Sequence, residues 1–146
     1  MCIKNTILKI SECSSNLKAS SLLLARLALA YGFYSPAMNK WNDIDSVAGW
    51  FGSMGIPMPT LNAYMAAGVE TLGVVLLALG LLTRVITLPL MVIMFVAIFM
   101  VHLPNGFAAG SNGFEIPLYY LLFLFIFFSN GAGKFSLDYL FFKDKA

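Results

Sequence analysis

The sequence predicts an all-α membrane protein, a bundle of four transmembrane helices with its N and C termini in the cytoplasm. Three observations lead to that class. Of the 146 residues, 60% are apolar and only 11% charged, whereas soluble domains carry about 25% charged residues. Charge is too scarce to cover a water-facing surface, and mean hydropathy is correspondingly high at +0.83. The few ionisable residues also leave four long apolar runs, each near the roughly 20 residues that a helical crossing needs. Helices are expected rather than a barrel because each helix satisfies its own backbone in lipid, and ten-residue alternation is absent.

The elements follow in order. Residues 1–18 form a polar N-terminal tail, expected as a mobile segment or an interfacial helix. The membrane domain covers residues 19–133, with spans at about 19–40, 61–83, 85–103 and 115–132, and residues 134–146 form the C-terminal tail. Lysines ahead of Ala28-Leu29-Ala30 imitate a signal peptide. Arg26 interrupts its apolar core, however, and the run continues to Ala37, so a retained span is expected. The first connection, "WNDIDSVAGWFGSMGIPMPT", is too polar to cross. Trp41, Val47, Ala48, Trp50 and Phe51 can share one side of a short interfacial helix, a level that tryptophan favours, and Pro57 and Pro59 end it. Thr83-Arg84 is read as the tight turn between the second and third spans, and Pro104 to Phe114 as the third connection. The tail "GAGKFSLDYLFFKDKA" mixes aromatics and lysines as an interface-bound segment would.

Orientation follows from the basic residues. Lys4, Lys9, Lys18, Arg84, Lys134, Lys143 and Lys145 fall on one side of a four-span chain, and Lys40 on the other, near Asp43 and Asp45. The positive side faces the cytoplasm, which implies a multi-pass protein of a bacterial-type inner (plasma) membrane. Cys2 and Cys13 then lie in a reducing compartment, where no structural disulfide is expected. The net charge of +2 suggests no nucleic-acid partner.

Two charges sit inside spans. A charged side chain in the bilayer costs roughly 2.5–3.5 kcal/mol on insertion scales, so it should face protein and find a partner. Arg26 shares a helical face with Ala30, Phe33, Ala37 and Lys40, and Glu70 shares one with Ala66, Gly73 and Gly80. Both faces are expected to be interior, since small residues let helices approach closely. Counted from the span midpoints, the depths of Arg26 and Glu70 differ by about 6 Å at 1.5 Å per residue, and an Arg26–Glu70 ion pair is expected.

A second polar group stands at the outer rim. Lys40 ends the first span, His102 ends the third, and Glu115 opens the fourth just before Pro117. There the carboxylate meets the positive end of a helix. Asn105-Gly106 is a turn signal between them. A cup of Lys40, His102 and Glu115 could orient a polar headgroup, such as that of a quinone, or pass protons. Structural roles account for the same residues: an ion pair that fixes helix register, a loop turn, an interfacial histidine. Met54, Met58, Met100 and His102 could offer thioether and imidazole ligands to Cu(I). No second histidine or nearby cysteine supports them, and no metal site is assigned. Signatures of a phosphate loop, nucleophile elbow, HExxH or CxxC are absent, so no self-contained catalytic centre is expected.

"GVETLGVVLLALGLLTRVITLPLMVIMFVA", followed by "HLPNGF", a glutamate opening the last span and "GAGKFSLD", resembles the DoxX family of small four-helix membrane proteins from about Leu22 to Asp138. The family pattern falls on Arg26, Lys40, Glu70, Gly73, Gly80 and Arg84. It continues on His102, Asn105, Gly106 and Glu115, and then on Gly131, Gly133, Ser136, Leu137 and Asp138. Two positions depart from it: "SPAMNK" precedes the lysine without the usual glycine, and the usual G-P-G reads Gly131-Ala132-Gly133. The resemblance implies a redox-associated membrane subunit of a quinone-linked oxidoreductase or oxidative-stress system. It would have a polar intramembrane site of Arg26, Lys40, Glu70, His102, Asn105 and Glu115 and, as implied ligand, a bound quinone. Implied partners are the lipid bilayer, a protein of a membrane redox complex and a second copy of the chain. The alternatives are an assembly subunit without its own ligand and a small-solute or copper-handling protein.

Overall fold

The computed structural model describes the backbone of residues 2–142 and the side chains of residues 17–142. The readings for Cys2, Lys4, Lys9, Cys13, Lys143 and Lys145 lie outside the described side chains. Every described element is helical: α1 Cys2–Asn42, α2 Ile44–Ser53, α3 Pro59–Leu79, α4 Thr83–Val96, α5 Glu115–Asn130 and α6 Leu137–Phe142. A π-helical turn, Ala97–His102, and a 3-10 turn, Leu103–Asn105, prolong α4. Among the described residues, α3 and the continuous Thr83–Asn105 segment are long and apolar enough to cross a membrane, and α5 is a shorter apolar helix. No break separates the N-terminal tail from the first apolar run, because α1 continues through both.

Burial is inverted relative to a water-soluble bundle. Arg26 and Glu70 are 1% and 2% exposed, while Leu24, Val92 and Phe99 are 67%, 61% and 62% exposed. Hydrocarbon is the solvent that tolerates this arrangement, since it solvates leucine well and charge poorly. The interior face of α1 carries Arg26, Ala30, Phe33 and Ala37, as its helical phase predicts. The common core adds Leu77 from α3, Leu90 from α4, and Leu124 and Phe127 from α5. Gly73 lets α3 approach α4 closely: a Cβ there would lie 2.9 Å from the Leu90 methyls. At the other side of α3, Ala48 and Phe51 of α2 pack on Ala63. The Asp43 carboxylate caps α2 by accepting from the Ser46 hydroxyl at 2.6 Å and amide at 3.1 Å. Those two bonds hold its carboxyl below the usual carboxylate range.

The α3–α4 turn lies three residues earlier than the sequence suggests. Thr83 and Arg84 already belong to α4, and the reversal is made by Gly80, Leu81 and Leu82. Gly80 takes a left-handed conformation, φ 66°, and the Leu81 amide reaches back to the Leu76 carbonyl at 2.9 Å. This is a Schellman-type helix end. Leu82 is also left-handed at φ 49°, a conformation that a branched side chain seldom adopts. A remote carboxylate holds it there. Asp138 Oδ1 accepts from the Leu82 amide at 2.7 Å and Oδ2 from the Thr83 amide at 2.9 Å, while the Asp138 amide donates to the Gly80 carbonyl at 2.9 Å. Asp138 thus caps the positive end of α4 from across the chain.

Arg26 completes this knot. Its Nη1 donates to the Ala132 carbonyl at 3.2 Å and its Nη2 to the Phe135 carbonyl at 2.8 Å, so α1 holds the irregular segment between α5 and α6. Gly131 and Gly133 give that segment its left-handed turns, with φ 73° and 82°. Gly80 leaves room for the guanidinium, which any Cβ would overlap. Gly80→Ala should therefore lower stability by about 2–4 kcal/mol, through left-handed strain and overpacking. Gly68 has open space around its Cβ position, so Gly68→Ala in the same helix should be neutral or stabilising by up to about 1 kcal/mol. Thermal unfolding of both variants in one detergent checks the contrast.

Candidate functional site

α1 runs beside α3 in the opposite direction. Arg26 meets Gly80 at one end, and near the other the Trp41 indole donates to the Thr71 hydroxyl at 2.9 Å. In the half of the bundle away from the α3–α4 turn the helices part around a cavity of about 860 Å³. Its wall coincides with the irregular turns of the helices. Pro36 lies inside α1 and Pro89 inside α4, and both line the cavity together with part of the π turn ending at His102. Each proline removes one helical N–H donor, and π turns recur at functional sites. Trp50 and Phe51 of α2 and residues 109–113 of the last connection close it from the end.

The polar pole of this cavity is an ion pair between Lys40 and Glu70. The ammonium donates to Oε1 at 3.0 Å and to Oε2 at 2.8 Å. The Glu70 side chain is 3% exposed and that of Lys40 18%. An ammonium has three donors, so one N–H of Lys40 is left without a partner among the described residues.

The expected Arg26–Glu70 pair is not formed. Counting depth from span midpoints misplaced both residues, because α3 ends at Leu79 and α1 extends to Asn42. Arg26 faces Gly80, ten residues and about 15 Å of helix rise beyond Glu70. It reaches backbone carbonyls and the vicinity of Asp138 instead, and it does not line the cavity.

The expected rim cup of Lys40, His102 and Glu115 is also rearranged. His102 lines the cavity with Lys40 and Glu70, whereas Glu115 and Asn105 do not. His102 Nδ1 lies 2.8 Å from the Asn112 carbonyl. A carbonyl only accepts, so Nδ1 carries the proton and Nε2 of the neutral ring is left as an acceptor. The Asn105 amide shares that carbonyl at 3.2 Å, and Gly106, at φ 78°, turns the chain there. Glu115 fastens the loop to α5, accepting from the Ala109 amide at 2.9 Å and from the Tyr119 hydroxyl at 3.1 Å. Met54, Met100 and His102 border the cavity while Met58 does not, and among the described residues no three His, Cys, Asp or Glu form a metal-binding group.

Sequence reasoning missed Tyr120, Gly32 and Asn62, which also line the cavity. For Tyr120 a signal was present. Pro117, Leu121, Leu124 and Phe127 are the buried stripe of α5, and Tyr120 stands beside it at helical spacing.

Comparison with known proteins agrees with a membrane protein. The DoxX family model matches residues 21–103. An uncharacterized protein of Haemophilus influenzae is 35% identical over 128 residues, 82% of this chain and 82% of its own. An uncharacterized membrane protein of Mycobacterium tuberculosis is 35% identical over 130 residues, covering 81% of this chain and 79% of its own. A Bacillus subtilis protein named "Putative oxidoreductase CatD" is 31% identical over 124 residues, 84% of this chain and 88% of its own. No solved structure matches the chain at a significant level.

The ion pair makes a stability prediction. Lys40→Met leaves the Glu70 carboxylate buried alone and should destabilise by about 3–5 kcal/mol, whereas the double change Lys40→Met/Glu70→Leu should recover most of that loss. Unfolding of the two single variants and the double variant, compared as a thermodynamic cycle, measures the coupling.

Proposed function

The chain belongs to the DoxX family of membrane proteins, and from that premise we propose that it is a redox-associated, ligand-binding subunit of the bacterial inner membrane. In this reading α1, α3, the Thr83–Asn105 segment and α5 cross the bilayer, and both termini face the cytoplasm. The basic residues Lys18, Arg84 and Lys134 at one end support that orientation. α5, with 16 residues, spans about 24 Å. The exposed Phe107 and Phe135 beyond its ends supply apolar surface where the helix falls short. The cavity then lies in the outer half of the bilayer.

The ligand is a quinone-like ring. One observation carries the proposal: a charge-neutral Lys40–Glu70 pair, with a buried carboxylate and a spare N–H, forms the polar pole of an otherwise mainly apolar cavity of about 860 Å³. Small-molecule sites have this character, apolar walls with a few placed polar groups, over about 300–1,000 Å³. The spare donor of Lys40 suits a ring carbonyl, and His102 Nε2 suits a ring hydroxyl. The chain encodes no redox centre, so oxidation and reduction of the ring belong to the ligand and to a protein partner. The printed name of the Bacillus subtilis relative supports the redox context.

Native mass spectrometry of the protein, extracted gently from its own membrane, tests the proposal. The expected result is a stoichiometric quinone on the wild type that is absent from the folded Lys40→Met/Glu70→Leu protein. A protein partner alone, with no small molecule on the wild type, would instead favour an assembly subunit whose charges set helix packing.

A further inference from the structure

We infer that Tyr120 is a second ligand donor, placed on the cavity wall away from the Lys40–Glu70 pair, so that the site selects a ring carrying oxygen acceptors toward both ends. The inference rests on the ligand-binding reading above. Tyr120 comes from α5, and its ring is held against Phe33, with centroids 5.3 Å apart. Its hydroxyl is pressed to Gly32 of α1 so closely that any Cβ there would overlap it. Glycine at position 32 is therefore what allows the phenol to reach this part of the wall. Both Tyr120 and Gly32 line the cavity.

The Tyr120 hydroxyl has no hydrogen-bond partner among the described residues. Tyrosine hydroxyls inside proteins ordinarily find one, and here the open neighbour is the cavity. Pro36 adds to the polarity. It follows Gly32 by four residues and has no N–H, so the Gly32 carbonyl loses its usual helical donor beside the phenol. Gly32 and Lys40 are eight residues apart on α1, about 12 Å of helix rise. Long side chains on a helix point toward its N-terminus, a direction that shortens this gap to the scale of one ring with a polar group at each end. A lipid acyl chain would leave both poles unpaired, whereas a dioxygenated ring meets them together.

The test uses the full chain in nanodiscs, titrated with a short-chain ubiquinone and read by quenching of tryptophan fluorescence, since Trp50 borders the cavity. Tyr120→Phe should bind the quinone about tenfold more weakly, the loss of one hydrogen bond, with its unfolding temperature unchanged. A ring of the same size and side chain but without carbonyl oxygens should bind the wild type and Tyr120→Phe equally. Equal quinone binding by both proteins would overturn the role of Tyr120 and leave the cavity reading standing. A fall in unfolding temperature without any change in quinone affinity would make the hydroxyl a packing group and overturn it too. Absence of quinone binding by the wild type would overturn the cavity reading itself.

Discussion

The structure depends on one constraint: hydrocarbon solvates neither charge nor unpaired backbone, so each charged side chain held between the membrane faces needs partners from another part of the chain. The chain answers at two places. Arg26 and Asp138 do so with backbone partners, and Lys40 and Glu70 do so with each other. These two solutions differ in consequence. An arginine that donates to carbonyls, and a carboxylate that accepts amides, tie segments distant in sequence into one fixed geometry. The knot therefore joins α1, the α3–α4 turn and the segment before α6, and one end of the bundle is closed.

The other end is built more loosely, for physical reasons. Two prolines and a π turn interrupt helices that would otherwise pack along their full length. α1 packs chiefly on α3, and α4 on α5. Between these pairs, beyond the level where the core residues Phe33, Leu90 and Leu124 meet, the space stays open. A bundle fixed at one end and parted at the other can hold a cavity without losing its fold. Most of the polar satisfaction that stabilises it lies outside that cavity.

How far this was legible from sequence depended on range. Local periodicity placed Arg26 and Glu70 on interior faces, because a 3.6-residue repeat turns directly into burial. Choice of partner was not legible. It depends on the axial register of two antiparallel helices, and span midpoints misjudged that register once α1 proved to extend to Asn42. The turn at Gly80–Leu82 was hidden for another reason. Nothing near Leu82 marks a left-handed leucine, and the carboxylate that holds it lies 56 residues away. The glycine-rich segment before Asp138 was visible as a motif, but not as the piece of chain that Arg26 grips. Of the candidate site, Lys40, Glu70 and His102 came together at one cavity. Asn105 and Glu115 proved to be spent on their own loop, whose tight geometry consumes local donors and acceptors.

If the cavity is the ligand site proposed above, the neutrality of the Lys40–Glu70 pair narrows the ligand class further. A lone buried charge would demand a counter-ion and would select charged molecules. A lysine and a glutamate in direct contact have already neutralised each other, and a charged ligand would have to break the pair against a desolvation penalty of several kcal/mol per ion. What the pair can still offer is one N–H, within a field that polarises any carbonyl brought to it. Uncharged, polarisable, oxygen-bearing rings answer that offer at no charge imbalance. The apolar walls contributed by Met94, Ile93 and Pro117 favour the same molecules through burial of their ring carbons. In the ligand-binding reading proposed above, the ion pair selects a neutral ligand, because the charges that might have attracted an ionic one are occupied with each other.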